Sequence, residues 1–242
     1  MQENMAMTQI KSKENFKCKY CGRSFARAST LEVHLCEQKR RYQNKDTPGS
    51  RIAFQCFIRF FEYTQGSAKS KTFDDFAQSP YYRAFFKYGV YCADTKVINP
   101  QRFCEWLLKK NKKVDYWCTD KNYDEYLKEY ILMENATDAV ARALETGIAW
   151  SYKNSEPVEH FLRHGNRSKI CHYITQGRIT GWCVFNCDSG HEFLNDLTSD
   201  QLAIIFDYVQ PDRWKNRFKA YPADTEYCKS MLKDAGWKTT QT

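Results

Sequence analysis

The chain has no apolar run approaching the ~20 residues of a membrane-spanning helix, which argues against a membrane span. Met1 to Lys19 lacks the apolar core of a secretory signal, so none is expected. No fixed internal period is visible, and the composition fits neither collagen, a coiled coil nor a wholly disordered chain. The phosphate-cradling G-x-x-x-x-G-K loop, the G-x-S-x-G elbow and the G-x-G-x-x-G fingerprint are all missing. Their absence removes the usual sequence signals of nucleotide hydrolases, α/β serine hydrolases and dinucleotide enzymes. The cysteines do not come in an even number: there are eleven. With no secretion signal, reduced thiols or metal ligands are expected rather than a disulfide framework, in a reducing compartment such as the cytoplasm.

What is present is aromatic and unevenly charged. Phe, Trp and Tyr make up 16% of 242 residues, so the core should be built largely from rings. The mean hydropathy of −0.72 is that of a soluble chain. The net charge is +8, but residues 1–51 hold eleven basic and five acidic residues, or +6. The remaining fourth-fifths of the chain is near neutral. Such an asymmetry points to a polyanion-binding end on a neutral body.

Residues 1–14 read as a disordered N-terminus and 15–42 as a small Cys/His module. Asp46-Thr47-Pro48-Gly49-Ser50 is a turn signal, and 43–51 reads as a linker. Residues 52–242 read as an aromatic-rich helical domain of about eight to ten short helices, with at most a short strand pair. Pro80, Pro100, Pro157, Pro211 and Pro222 each stand where a helix could begin, because the first helical position needs no N–H. Thr198 to Gln201 fits a capping box, and Gly236 fits a position just past a helix end. The helical pattern from Tyr123 to Tyr152 has a break near Asn135 and Thr137, and Ile179 to Asn186 is the best candidate for extended chain.

One motif is specific: Phe16-x-Cys18-x2-Cys21-x3-Phe25-x5-Leu31-x2-His34-x-Cys36. Through His34 it resembles a Cys2His2 zinc finger at every signature position. The resemblance implies a ββα fold, with Cys18 and Cys21 on a hairpin knuckle, Gly22 at a positive φ, Phe25 and Leu31 as a minimal core, and a helix from about Ala28 to His34. It also implies Zn2+ as the cofactor, since so small a module cannot bury enough apolar surface to fold alone. The fourth ligand departs from the family: positions 38–40, where the second histidine belongs, are Gln38, Lys39 and Arg40. Cys36 is the candidate instead, giving a Cys3His site of Cys18, Cys21, His34 and Cys36. On a continuous helix His34 and Cys36 would point about 200° apart, so the helix must end near Leu35.

If the finger docks as its family does, Arg27, Thr30 and Val33 face the bases. Arg27 is the best reader, through its bidentate fork to guanine, Thr30 can add a polar or methyl contact, and Val33 reads poorly. Lys17, Lys19, Arg23, Lys39, Arg40 and Arg41 would bind phosphates. The module and its basic tail, with the Phe/Tyr-rich body, also look like uncharacterised proteins of large tailed bacteriophages. That resemblance implies a host cytoplasm and carries no activity.

Other groupings are weaker. His160 and His164 are four residues apart and, with His172, suggest a second metal or catalytic site, but no Glu follows the first His as in metalloproteases. Surface or capping histidines are the simpler reading. Cys183, Cys187 and His191, with Cys171 and His172 upstream, match no finger spacing, and buried hydrophobic thiols explain them. Asp115, Asp120, Asp124 and Glu125 read as helix N-terminal acids. Pro211-Asp212 with Glu226 and Lys229 lacks the Glu-x-Lys of acidic nucleases. The aromatic runs at 57–61 and 81–88 could stack on bases, but their helical spacing reads as core, with Tyr81 and Tyr88 exposed and polar at the tip.

The expected function is that of a zinc-finger, nucleic-acid-binding accessory protein in transcription or DNA metabolism. The finger would hold nucleic acid, DNA ahead of RNA, while the helical body contacts a protein partner. The alternatives are a nuclease or nucleic-acid-modifying enzyme targeted by the finger, and a protein-interaction module with a zinc staple. No catalytic residues are assigned.

Overall fold

The computed structural model describes residues 16–66 and 70–240. The stretch expected to be disordered, 1–14, lies outside the described residues. Among the described residues the chain is mostly helical, with one two-stranded sheet at its start. It divides into two compact units between Cys118 and Thr119. The first holds β1 (Phe16–Lys17), β2 (Ser24–Phe25), α1 (Ala28–Val33), α2 (Glu37–Gln43), α3 (Pro48–Gln65), α4 (Phe73–Gln78), α5 (Tyr82–Thr95), α6 (Pro100–Lys109) and a 3-10 turn at Val114–Tyr116. The second holds α7 (Asp120–Tyr130), α8 (Ala136–Asn154), a 3-10 turn at Val158–His160, α9 (Phe161–His164), α10 (Arg167–Thr175), α11 (Gly181–Val184), α12 (Asp188–Asn195), α13 (Ser199–Ile205), α14 (Pro211–Ala220) and α15 (Pro222–Asp234). The helices α3 to α15 exceed the number expected because pieces such as α9 and α11 are single turns, too short to leave a periodicity.

The segment read as a linker, 43–51, is mostly helical or helix-capping. α2 runs to Gln43, and Thr47 caps α3 by accepting the Ser50 N–H at 3.3 Å. Pro48 sits at the first helical position, and Gly49 and Ser50 are already buried. The turn signal was a helix start, the same proline rule that holds at Pro100, Pro211 and Pro222. Pro157 precedes a 3-10 turn, and Pro80 lies in the turn ahead of α5.

In the first unit α3 packs against α5 and α6. The α3–α5 approach is close enough that a Cβ on Gly89 would lie 2.0 Å from the Gly49 carbonyl oxygen and 2.7 Å from the Ala53 nitrogen. Only glycine fits there. The core is a set of edge-on rings, as the composition implied: Phe57 meets Phe85 at 5.7 Å and 88°, and Phe85 meets Trp117 at 5.7 Å and 90°. Such pairs each add about 0.5–1.5 kcal/mol beyond area burial. Tyr81 is exposed, but Tyr88 is not: it is 1% exposed, and its hydroxyl donates to the Pro100 carbonyl at 2.7 Å. That bond lets a polar tip lie inside the core.

In the second unit α8 packs against α15, α11, α9 and the 3-10 turn before it. Asn135 caps α8 through the Thr137 N–H at 2.8 Å, which is the break expected within 123–152. The Thr198–Gln201 capping box is present, and Gly236, at φ 89°, donates to the Lys233 carbonyl past the end of α15. Glu134, 1% exposed, takes both Arg142 guanidinium bonds at 2.5 and 2.7 Å. Burial pushes its carboxyl above the usual range while Arg142 pulls it back.

The expected extended stretch 179–186 is helical instead, with α11 inside it and the Val184 N–H bonded to the Thr180 carbonyl at 3.1 Å. Every residue from Ile179 to Val184 is buried, so the alternation that marks a strand could not show. Trp182 fills the space instead, edge-on to Trp214 at 5.7 Å. The one extended pairing nearby is a bridge between Cys187 and Thr239.

Candidate metal centre and nucleic-acid face

The hairpin of the first unit pairs Phe16 with Phe25 and Lys17 with Ser24. Between them the chain reverses through Gly22 at φ 73°, with the Gly22 N–H donating to the Cys18 carbonyl at 2.8 Å. That turn places Cys18 and Cys21 together. The Cys21 N–H, directed at the Cys18 sulfur, holds that thiol below its ordinary range. α1 then carries His34 back, its imidazole packed on Phe25 with ring centres 4.6 Å apart. His34 Nε2 lies 3.3 Å from Cys21 Sγ.

The helix stops at Val33, and His34 is extended at ψ 119°. This is the break that the two-residue spacing demanded. Leu35 crosses the gap, and Cys36 begins α2 as its N-cap, accepting the Lys39 N–H on sulfur at 3.3 Å. The ligand atoms of Cys18, Cys21, His34 and Cys36 all lie within 4.8 Å of one another. A tetrahedral zinc ion holds such donors about 3.5–3.8 Å apart, from Zn–S of ~2.3 Å and Zn–N of ~2.0–2.1 Å. Three thiolates and one imidazole, at this spacing, fit zinc. Within 16–35 only Cys18 is buried, so the ββα segment has almost no apolar core of its own. When bound, zinc supplies the folding free energy that this segment lacks.

Residues 16–37 match the family "Zinc finger, C2H2 type". No curated protein and no solved structure matches the chain. The similarity to bacteriophage proteins therefore finds no support among them.

The face expected to read bases is open: Arg27, Thr30 and Val33 are all exposed, and α1 buries no residue. Lys17, Lys19, Arg23 and Arg40 are exposed around it. Lys39 and Arg41 are committed elsewhere. Lys39 Nζ donates to the Glu32 and His34 carbonyls at 3.3 and 3.2 Å, closing the end of α1. Arg41, only 12% exposed, donates to the Ala77 carbonyl at 2.7 Å, pairs with Glu37 at 3.4 Å and lies 4.3 Å over the Tyr82 ring. Next to it, the Tyr42 hydroxyl donates to Asp74 at 2.9 Å, and its ring meets Tyr20 at 5.0 Å. Thus α2 joins the finger to α4 and α5. In sequence this helix shows only charge; its role as a joint depends on partners more than thirty positions away.

The weaker groupings separate. His172 is exposed and stands outside the cluster formed by His160 and His164 with Glu156, which precedes them. Cys183 and Cys187 are fully buried, with Cys187 Sγ donating to the Cys183 carbonyl at 3.2 Å, while His191 bonds the Phe185 carbonyl. Cys171 is likewise buried, and none of these joins a ligand cluster among the described residues. Asp120 lies in the first turn of α7, and Asp124 pairs with Lys128 at 3.0 Å and accepts from Tyr208. No helix among the described residues is long and apolar enough to cross a membrane.

Proposed function

We propose that this protein binds nucleic acid, DNA in preference to RNA, through the outward face of α1, and that its helical units serve a protein partner in transcription or DNA metabolism. The observation that carries the reading is the unobstructed helix face of Arg27 and Thr30, ringed by Lys17, Lys19, Arg23 and Arg40 on a segment that matches a C2H2 finger. Arg27 reads guanine; the flanking cations hold phosphates. One finger covers about three base pairs, so sequence selectivity is modest and the helical partner supplies the rest.

The test is fluorescence anisotropy of the full chain on duplex DNA, single-stranded DNA and RNA at two salt concentrations. Duplex binding should weaken steeply with salt, and Arg27→Ala should cost about 1–3 kcal/mol on guanine-containing sites. Binding indifferent to both salt and Arg27 would remove the proposal. A second reading has one observation in its favour: Val33 and Leu35 are 81% and 49% exposed, an apolar pair that would suit a protein-docking finger. In that case Val33→Asp abolishes partner capture and Arg27→Ala leaves it intact.

A further inference from the structure

We propose that Glu156, His160 and His164 form a second metal site, for a zinc-class divalent ion, with a fourth position open to water. This is independent of the nucleic-acid reading and of the finger. His164 Nδ1 lies 2.5 Å and His160 Nδ1 3.5 Å from the same Glu156 oxygen, Oε2. The three ligand atoms are mutually within 4.8 Å. A four-coordinate zinc ion with ~2.0–2.2 Å bonds to nitrogen and oxygen separates its donors by about 3.3–3.5 Å. The His160–Glu156 distance already fits, and the His164–Glu156 distance needs to open by under an ångström.

The backbone holds the three in place before any ion arrives. Ser151 and Glu156 bond each other twice, Ser151 Oγ to the Glu156 carbonyl at 2.5 Å and the Glu156 N–H to the Ser151 carbonyl at 3.3 Å. Pro157 then turns the chain into the 3-10 turn that carries His160, and α9 carries His164. Phe161 and Leu162, at 1% and 0% exposure, anchor this segment in the core. The two imidazoles are left half-exposed with ring centres 4.7 Å apart. The steps of four from Glu156 to His160 to His164 are readable in the sequence, with the carboxylate before the first histidine rather than after it.

The surrounding charges do not oppose a cation. Arg163 pairs with Glu192 at 2.7 Å and Arg167 with Asp196 at 2.8 Å, so each nearby guanidinium carries its own counter-charge. Two imidazoles and one carboxylate select zinc, nickel, copper or iron(II) over magnesium and calcium, which want oxygen donors only. Three protein ligands and one free position is the arrangement of zinc sites that exchange a ligand, unlike the closed finger.

The test is a cobalt titration of the full chain with its finger kept zinc-loaded. Cobalt binds such sites more weakly than zinc and leaves the finger's zinc in place. One equivalent of Co2+ should bind, with ligand-field absorption and no thiolate-to-cobalt charge transfer. His160→Gln and His164→Gln, half-exposed and tolerant of change, should each weaken it by at least about tenfold, with zinc content and circular dichroism unchanged. Glu156→Gln should do the same. No bound cobalt, a charge-transfer band, or affinity unchanged in all three variants would overturn the proposal.

Discussion

Arg40 and Arg41 are neighbours in sequence and opposites in structure, and exchanging each for glutamine separates binding from architecture. Arg40 is exposed; Arg41 is 12% exposed and holds α2 to Ala77, Glu37 and the Tyr82 ring. If the proposed duplex binding holds, Lys17, Lys19, Arg23 and Arg40 are the exposed cations set against phosphates, and the slope of log K against log salt has a ceiling of about −3.6. Between 50 and 200 mM salt that is a loss of roughly 150-fold. Arg40→Gln should reduce the slope by about 0.9 and leave the melting temperature unchanged. Arg41→Gln should leave the slope intact. It removes a charge-assisted hydrogen bond and a cation–π contact, together about 2 kcal/mol, which is several degrees of melting temperature. Anisotropy at four salt concentrations, with a thermal scan of each variant, reads both. A fall in slope for Arg41→Gln without loss of stability would refute the division of labour drawn from the geometry.

Chelation of the zinc-loaded chain should release three fast-reacting thiols, Cys18, Cys21 and Cys36, scored with a chromogenic disulfide. Apart from the partly exposed Cys118, which reacts the same with and without chelator, the remaining thiols stay slow until denaturant is added, because Cys56, Cys104, Cys183 and Cys228 are fully buried and burial pushes the Cys228 thiol up to about 12. Release of only two fast thiols would exclude Cys36 as a ligand. Gly89→Ala should lower the denaturation midpoint by the equivalent of about 1–3 kcal/mol or more, since the new methyl meets the backbone of Gly49 and Ala53 and neither can step aside. An unchanged urea midpoint would mean that α3 and α5 do not approach as described.

The finger was legible because its chemistry dictates its spacing. Two thiolates on a knuckle, two apolar residues and a histidine on a short helix leave few other arrangements, and the two-residue step to Cys36 required a helix end where one is found. Capping chemistry carried much of the helical body, at Asn135, Thr198 and Gly236. Failures came where burial is complete, as at Ile179 to Val184, since a segment buried on all sides shows no period. The linker reading failed for a different reason: Thr-Pro-Gly-Ser serves equally to turn a chain and to start a helix, and only Ser50's burial against the core decides. Arg41's role was invisible because its partners, Ala77 and Tyr82, are 36 and 41 positions away. The approach of Glu156 to His160 and His164 went unread in the sequence because a carboxylate was sought after His160, and Glu156 precedes it.

The direct joint between finger and body sets a geometric rule. Cys36 is at once a member of the Cys3His group and the residue that caps the start of α2, whose far end is fastened at Ala77 and Asp74. A finger on a loose tether would let its cargo swing to any side of the duplex. If α1 docks on DNA as proposed, it would dictate the angle at which α3 to α6 stand out from the DNA axis. A partner held by those helices, as proposed, would then meet a second DNA-bound protein only when the two sites lie on the same side of the double helix. Joint occupancy should rise and fall with site spacing, with a period of about 10.5 base pairs.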